Sequence, residues 1–266
     1  NEYRAGRTPN PDVMCNKYVK FGRFAAFATE LGADLIATGH YVQRIDTADG
    51  PTLHRGMDTQ KDQSYFLWTL TPDLLARCVF PIGDSSKAHI RSEAEQAGLI
   101  TAQKPDSQGI CFLGHIDIKH FLSHYLTLTP GVVVDETGRE IGTHDGALIY
   151  TRGQRHGFTI TDPSPTRPTY YVIDRDIDRN VITVSDQRPR QTAGTNLYLT
   201  HTSYTTVQPP AVGETVTMQT RYRQSPHEAT IVERTATSLT LTLHEPIDDP
   251  APGQSCVLYQ GTHCRG

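Results

Sequence analysis

The chain has little cysteine, and what it has is scattered: five residues, at positions 15, 78, 111, 256 and 264, with no C-x-x-C pair. An odd number without close spacing excludes a disulfide-stapled secreted scaffold and offers no zinc-ligand pattern, so no metal site is expected. Reduced thiols in a cytoplasmic setting are the simpler expectation. Long apolar runs are absent too: nothing approaches the roughly 18 residues of a membrane span, and no membrane partner is expected. Positive charge is not in excess, since 25 Lys and Arg stand against 29 Asp and Glu for a formal net charge of −4. Any nucleic acid must then be met by a local basic patch rather than by the overall field. There is no internal repeat and no low-complexity tract. The first residue is Asn rather than Met and no signal-peptide regions follow it, so the natural start is expected further upstream.

What is present has the texture of a loop-rich globular protein, with 36% hydrophobic residues, 21 Gly and 17 Pro over 266 positions, enough for two or three compact units. Residues 18–32 (YVKFGRFAAFATELG) place Phe21, Phe24, Phe27, Ala28 and Leu31 at helical spacing, with Gly32 to close the helix. Residues 34–40 (DLIATGH) follow as a buried parallel strand that delivers its carboxyl end to a site. One helix and one strand cannot make a doubly wound sheet, so its remainder is expected upstream of Asn1. Residues 61–71 read as a helix or strand packing Phe66, Leu67, Trp68 and Leu70. Residues 86–98 read as a Ser-capped helix closed by Gly98, and 116–126 as a further amphipathic helix.

From Gly131 onward short β-prone runs appear, near 132–135, 140–143, 170–174 and 181–185, with a Pro-rich loop at 161–169. After Pro209-Pro210 the alternation is clearest, at 215–223, 229–233, 239–244 and 256–259, which suggests a small antiparallel barrel. The fold class expected is therefore α/β plus β: the remnant of a parallel-sheet domain, a mixed central domain and a C-terminal antiparallel β-barrel. The expected boundaries are 1–76, with 107–123 returning to its site, then 77–195 and 196–266.

Two segments concentrate polar chemistry. In residues 7–16 (RTPNPDVMCN), Pro9 and Pro11 hold Thr8 and Asn10 away from helical geometry, so Asn10, Asp12 and Cys15 are expected on a stiff loop ahead of a helix. A thiol near that helix's N-terminus would favour thiolate. Equally, Cys15 reads as a small buried residue and Asp12 as a helix cap, and residue chemistry alone favours this plainer reading. In residues 104–114 (KPDSQGICFLG), Cys111 follows a Pro-Asp-Ser turn and Gly109; here too a core cysteine in a short strand is favoured on chemistry alone. Cys78 and Cys256 read as core, and His54, His89, His115, His120 and His124 as surface or capping residues.

The runs AGRTPNPDVMCNKYVKFGRF, LGADLIATGHY, KDQSYFLWTL, KPDSQGICFLG, TRYRQ and PGQSCVLYQG resemble, in order, successive blocks of the tRNA-specific 2-thiouridylase family, and they span nearly the whole chain. The resemblance reverses the plain readings of Cys15 and Cys111. It implies an ATP-pyrophosphatase (adenine nucleotide alpha hydrolase-like) α/β domain and a sulfurtransferase that uses ATP, with Mg2+, to adenylate C2 of the wobble uridine (position 34) of tRNA before sulfur enters. By the resemblance Cys111 carries the persulfide, Cys15 is the nucleophile that resolves it, and a transient Cys15–Cys111 disulfide closes the cycle. Asp12 faces the target base with Asn10 and Pro11 beside it, and Gly39 lies by the nucleotide. The resemblance further implies that His40, Lys61, Asp62, Gln63, Arg221, Tyr222 and Gln254 contact tRNA. The implied partners are tRNA and a sulfur-donor or sulfur-relay protein, and the implied compartment is the cytoplasm.

The chain departs from the family pattern in lacking its Gly/Ser-rich phosphate loop, whose backbone N–H groups cradle pyrophosphate. The expectation is that residues 1–266 alone do not adenylate RNA. Two other readings remain open: a non-catalytic tRNA-binding module, and a different adenylating thiol enzyme on the same scaffold.

Overall fold

The computed structural model describes residues 2–104, 118–161 and 168–266. Cys111, with most of the 104–114 motif and of the expected 107–123 return, lies outside the described residues, as does most of the 161–169 loop. The chain forms two compact units. One comprises Pro11–Gly114, Gly194–Glu245 and Ser255–Gly266; the other comprises Asn1–Asn10, His115–Ala193 and Pro246–Gln254.

The first of these opens with one continuous helix, α-helical over Pro11–Cys15, π-helical over Asn16–Phe24 and α-helical again over Ala25–Glu30. Pro11 suits the first helical position, where its missing N–H has no partner to lose and its φ is already helical. The π segment has a local cause in Gly22. A Cβ there would stand 2.8 Å from the Lys17 carbonyl oxygen five residues back, so only glycine lets the wider winding close. The helix ends as the sequence predicts. Gly32 takes φ +83, its N–H donates to Thr29 O, and Ala33 N–H donates to Ala28 O, the paired bonds of a glycine-terminated helix.

The expected apolar stripe does not come out as one buried face. Phe21 and Ala25 are buried, while Phe24, Phe27 and Leu31 are 54%, 55% and 71% exposed. Wider winding shifts the phase of a 3.6-residue pattern, and among the described residues of this unit the parallel pairing is limited to two short strands, Ile36–Ala37 and Cys78–Val79.

The large sheet of this unit has eight strands, in the order Asn196–Thr200, Ser238–Leu243, His227–Arg234, Thr215–Gln219, Val257–Gln260, His263–Cys264, Gly50–Arg55 and Val42–Thr47. Every pairing in it is antiparallel. The hairpin Val42–Thr47/Gly50–Arg55 thus extends the C-terminal strands, through His263↔His54 and Cys264↔Leu53. One core serves both parts, with Phe21, Val42, Leu53, Tyr65, Leu67, Leu70 and Leu75 packed with Val257, Tyr259 and Cys264. Residues 61–71 form neither long helix nor strand; a single 3-10 turn at Ser64–Phe66 presents Tyr65, Leu67 and Leu70 to that core. The helix Lys87–Gln96 is capped by Ser86, whose Oγ accepts from His89 N, and closed by Gly98 at φ +68.

In the other unit five strands line up as Phe158–Ile160, Glu140–His144, Gly131–Val134, Val181–Ser185 and Tyr171–Asp176, with one parallel pair between Gly131–Val134 and Val181–Ser185. Val133, Val172, Ile182, Val184 and Tyr150 fill its core. A short pair, Arg190–Gln191 with Ile247–Asp248, completes it.

Candidate functional site

The first turns of the Pro11–Glu30 helix carry two of the expected residues. Asp12 and Cys15 therefore lie within the helix rather than on a loop ahead of it. Three residues apart, they share a face, and Asp12 in the first turn is favourably placed against the helix dipole. Both are half-buried. The inward positions are Val13 and Asn16. Asn16 Nδ2 donates to the Phe66 carbonyl at 3.4 Å, while its buried Oδ1 has no partner among the described residues. Asn10 precedes the helix in the other unit.

The loop at 38–41 leaves the carboxyl end of Ile36–Ala37, where Thr38 N still donates to Val79 O. His40 is only 6% exposed, between the rings of Phe21 (5.8 Å) and Phe80 (6.4 Å). Burial first, and Lys20 second, push its pKa down to about 3, so the imidazole is neutral. Lys20 Nζ lies 3.4 Å from Nε2 and Thr38 Oγ1 2.8 Å from Nδ1. An ammonium only donates, so Nε2 accepts and Nδ1 carries the proton toward Thr38. Gly39 is exposed, and a Cβ on it would meet only Ile82 Cδ1, at 3.9 Å. Packing within the chain does not require glycine there.

Residues 61–63 divide by role. Asp62 is buried and accepts from Gly56 N (3.0 Å), Ser64 N (3.1 Å), Ser64 Oγ (2.9 Å) and Arg55 Nη1 (3.0 Å). Arg55 also donates to Gln219 Oε1 at 2.9 Å and lies 3.6 Å over the Tyr259 ring, so the carboxylate anchors a paired, fully bonded core network. Gln63 Oε1 accepts from Tyr41 N at 3.0 Å and its own N–H donates to Tyr41 O, which holds the 38–41 loop. Lys61 remains half-buried at the surface.

Arg221 and Tyr222 lie on a loop closed by Gln224, whose Oε1 accepts from Thr220 N, Thr220 Oγ1 and Arg221 N. Tyr222 packs on Phe66 at 4.4 Å, and Arg223, at φ +62, sits over the Tyr222 ring at 5.2 Å. Four expected blocks are thus joined within one unit: the Cys15 helix through Asn16 and His40, the 38–41 loop through Gln63, residues 61–66, and the 220–224 loop through Tyr222. Gln254 belongs to the other unit, where its Nε2 donates to Thr8 O at 2.9 Å and steadies the start of the Pro9–Pro11 segment. Asn16, Lys20, Thr38 and Gln224 were not singled out from sequence: Asn16 and Lys20 act through partners 50 and 20 residues away, while Thr38 and Gln224 act through near neighbours whose bonding only the folded loops reveal.

The remaining described thiols are core groups. Cys78 is pushed up to about 11 by burial and donates to Leu74 O. Cys264 is pushed up to about 12. Cys256 keeps some exposure as a residue, but its thiol is enclosed against Met218 Sδ at 3.6 Å and pushed up to about 12.

Residues 1–115 match the family model described as a tRNA methyl transferase HUP domain, 119–186 the tRNA methyl transferase PRC-barrel domain, and 194–266 the aminomethyltransferase beta-barrel domain. These define the class: a HUP-domain α/β protein carrying two β-barrel domains. Proteins named tRNA-specific 2-thiouridylase MnmA from Escherichia coli O1:K1, E. coli strain K12 and Shigella boydii serotype 18 are each 42% identical over 269 residues. Each match covers 100% of this chain and 73% of the relative. The chain belongs to the tRNA-specific 2-thiouridylase family.

Proposed function

We propose that the chain carries the sulfur-handling part of a tRNA uridine 2-sulfurtransferase acting at the wobble position. The observation that carries this reading is the joining of the Asp12/Cys15 helix, the 38–41 loop and the 61–63 and 221–222 blocks into one assembly around Phe66. Bound ATP, with Mg2+, supplies an AMP group that turns the C2 oxygen of uridine into a leaving group, a change a carbonyl oxygen needs before displacement. Gly39 leaves room for that nucleotide. Asn10 and Pro11 shape the wall by the target base, and Asp12 orients it or exchanges its proton. His40, Lys61, Asp62, Gln63, Arg221, Tyr222 and Gln254 serve tRNA binding, some by contact and the enclosed ones by fixing the surface that makes it.

Cys111 carries a persulfide received from a donor or relay protein. Either its outer sulfur attacks C2, AMP leaves, and the Cys15 thiolate then attacks Cys111 Sγ to release the thiocarbonyl; or Cys15 attacks Cys111 Sγ first and the freed hydrosulfide displaces AMP. Both routes end in a Cys15–Cys111 disulfide, which an external thiol reductant reopens. The setting for such reduction is the cytoplasm.

Cys15→Ser and Cys111→Ser, made singly in the intact protein, are expected to reduce 2-thiouridine in tRNA to background. Undiminished thiolation in either variant would refute the assignment. The matched family models are described as methyl transferases, and nucleoside mass analysis of the product separates a methyl gain from oxygen-to-sulfur exchange.

A further inference from the structure

Next to Lys61 the structure places cations that belong to none of the motifs above. The turn at Asp58 ties them together. Lys61 N donates to Asp58 O at 2.9 Å and Gln60 N to Oδ1 at 3.1 Å, while from the other side Lys87 N, at the start of helix Lys87–Gln96, donates to Oδ2 at 3.1 Å. Arg91 follows Lys87 by four residues, so both lie on one face of that helix. Arg91 is exposed and donates to Lys104 O at 3.1 Å.

Two backbone bonds to Asp58 and the four-residue helix spacing thus bring Lys61, Lys87 and Arg91 into one region, where the charges of Lys61, Arg91 and Asp58 all act on Lys87. The crowding is felt at Lys87, whose ammonium is held below its usual range by burial first, then by Lys61 and Arg91, with Asp58 opposing. The Tyr41 phenol, beside His40 in the chain, lies within the same fields. In a chain of net charge −4, a local gathering of like charge is the electrostatic footprint of a polyanion.

We propose that Lys87 and Arg91, with Lys61, form a phosphate-contacting face that holds the tRNA backbone beside the 38–41 loop. This rests on the tRNA reading above. Such contacts set the register of the substrate and do not read its sequence.

The test is binding of bulk tRNA to the intact protein across a salt series. Lys87→Ala keeps the backbone bond to Asp58, so the helix start is preserved. Lys87→Ala and Arg91→Ala are each expected to weaken binding several-fold at low salt and to lower the slope of log K against log salt by about 1, with Lys87→Arg restoring both. Should an alanine lower the thermal midpoint, Lys87→Gln repeats the measurement. Parental affinity and slope in both variants would overturn the face while leaving the tRNA reading intact. Absence of tRNA binding in the unmodified protein would overturn that reading itself. Variants that bind tRNA normally but lose sulfur delivery would also overturn the proposal, and would point to an acidic protein partner.

Discussion

At His40 the protein holds an imidazole neutral by enclosing it between two phenyl rings and beside a lysine. The folded pKa, about 3, lies below the ordinary 6.5, so folding must expel a proton from this ring in acid. Its contribution is fully present above pH 6.5 and is lost progressively as pH falls toward 3. His263, pushed down to about 4, and His54, stacked on it at 4.9 Å, act in the same direction. Unfolding midpoints measured from pH 7 to 4 should therefore decline, and His40→Gln should flatten part of that decline. An unchanged pH profile would mean that the ring protonates in place. Gly39, next in the chain, makes the opposite case, of a residue that the fold does not need. Gly39→Ala should leave stability within about 0.5 kcal/mol, since the added methyl meets only Ile82, yet weaken nucleotide binding about tenfold or more by occupying the open space. Equal ATP affinity by calorimetry would remove Gly39 from the nucleotide site.

Local chemistry decided which elements could be read from sequence. Gly32, Ser86 and Gly98 act through bonds within a few residues, so the helix ends they set are written in the local sequence. The hairpin Val42–Thr47/Gly50–Arg55 was missed, although Asp49-Gly50 is the strongest short-range hairpin signal. The five apolar positions of 61–71 carried no periodicity, because partners such as Tyr222 and Tyr259, some 155 to 195 residues away, fix them one by one. The site followed the same division. Asp12, Cys15 and Gly39 are legible through their motif blocks; the π-winding over Asn16–Phe24 that follows the first two, and that Gly22 permits, is not. Asp62 illustrates the limit on the functional side. Its sequence neighbours suggest a surface block, whereas four hydrogen bonds, one of them from Arg55, hold it in the core.

For the molecule as a whole, the decisive feature is that residues as far apart in the chain as Phe21 and Cys264 share the core of one unit. Leu53 stands where this sharing is tightest, fully buried, in the hairpin strand that pairs with Cys264 and packed in the cluster with Val257 and Tyr259. The single tryptophan, Trp68, reports on that core, with its Nε1 donating to Ser255 Oγ at 2.9 Å. Leu53→Ala should cost about 2–5 kcal/mol through the lost side chain and its cavity. Because the hairpin and the C-terminal strands are one sheet, Val257→Ala, some 200 positions away, should move the same Trp68 fluorescence transition rather than a separate one. A Trp68 transition shifted by Leu53→Ala and indifferent to Val257→Ala would show the N-terminal hairpin folding apart from the barrel strands. Coincident shifts would mean that the loops of 38–41, 61–66 and 220–224 are held by a single cooperative body, so that destabilising any part of that core loosens all of them together.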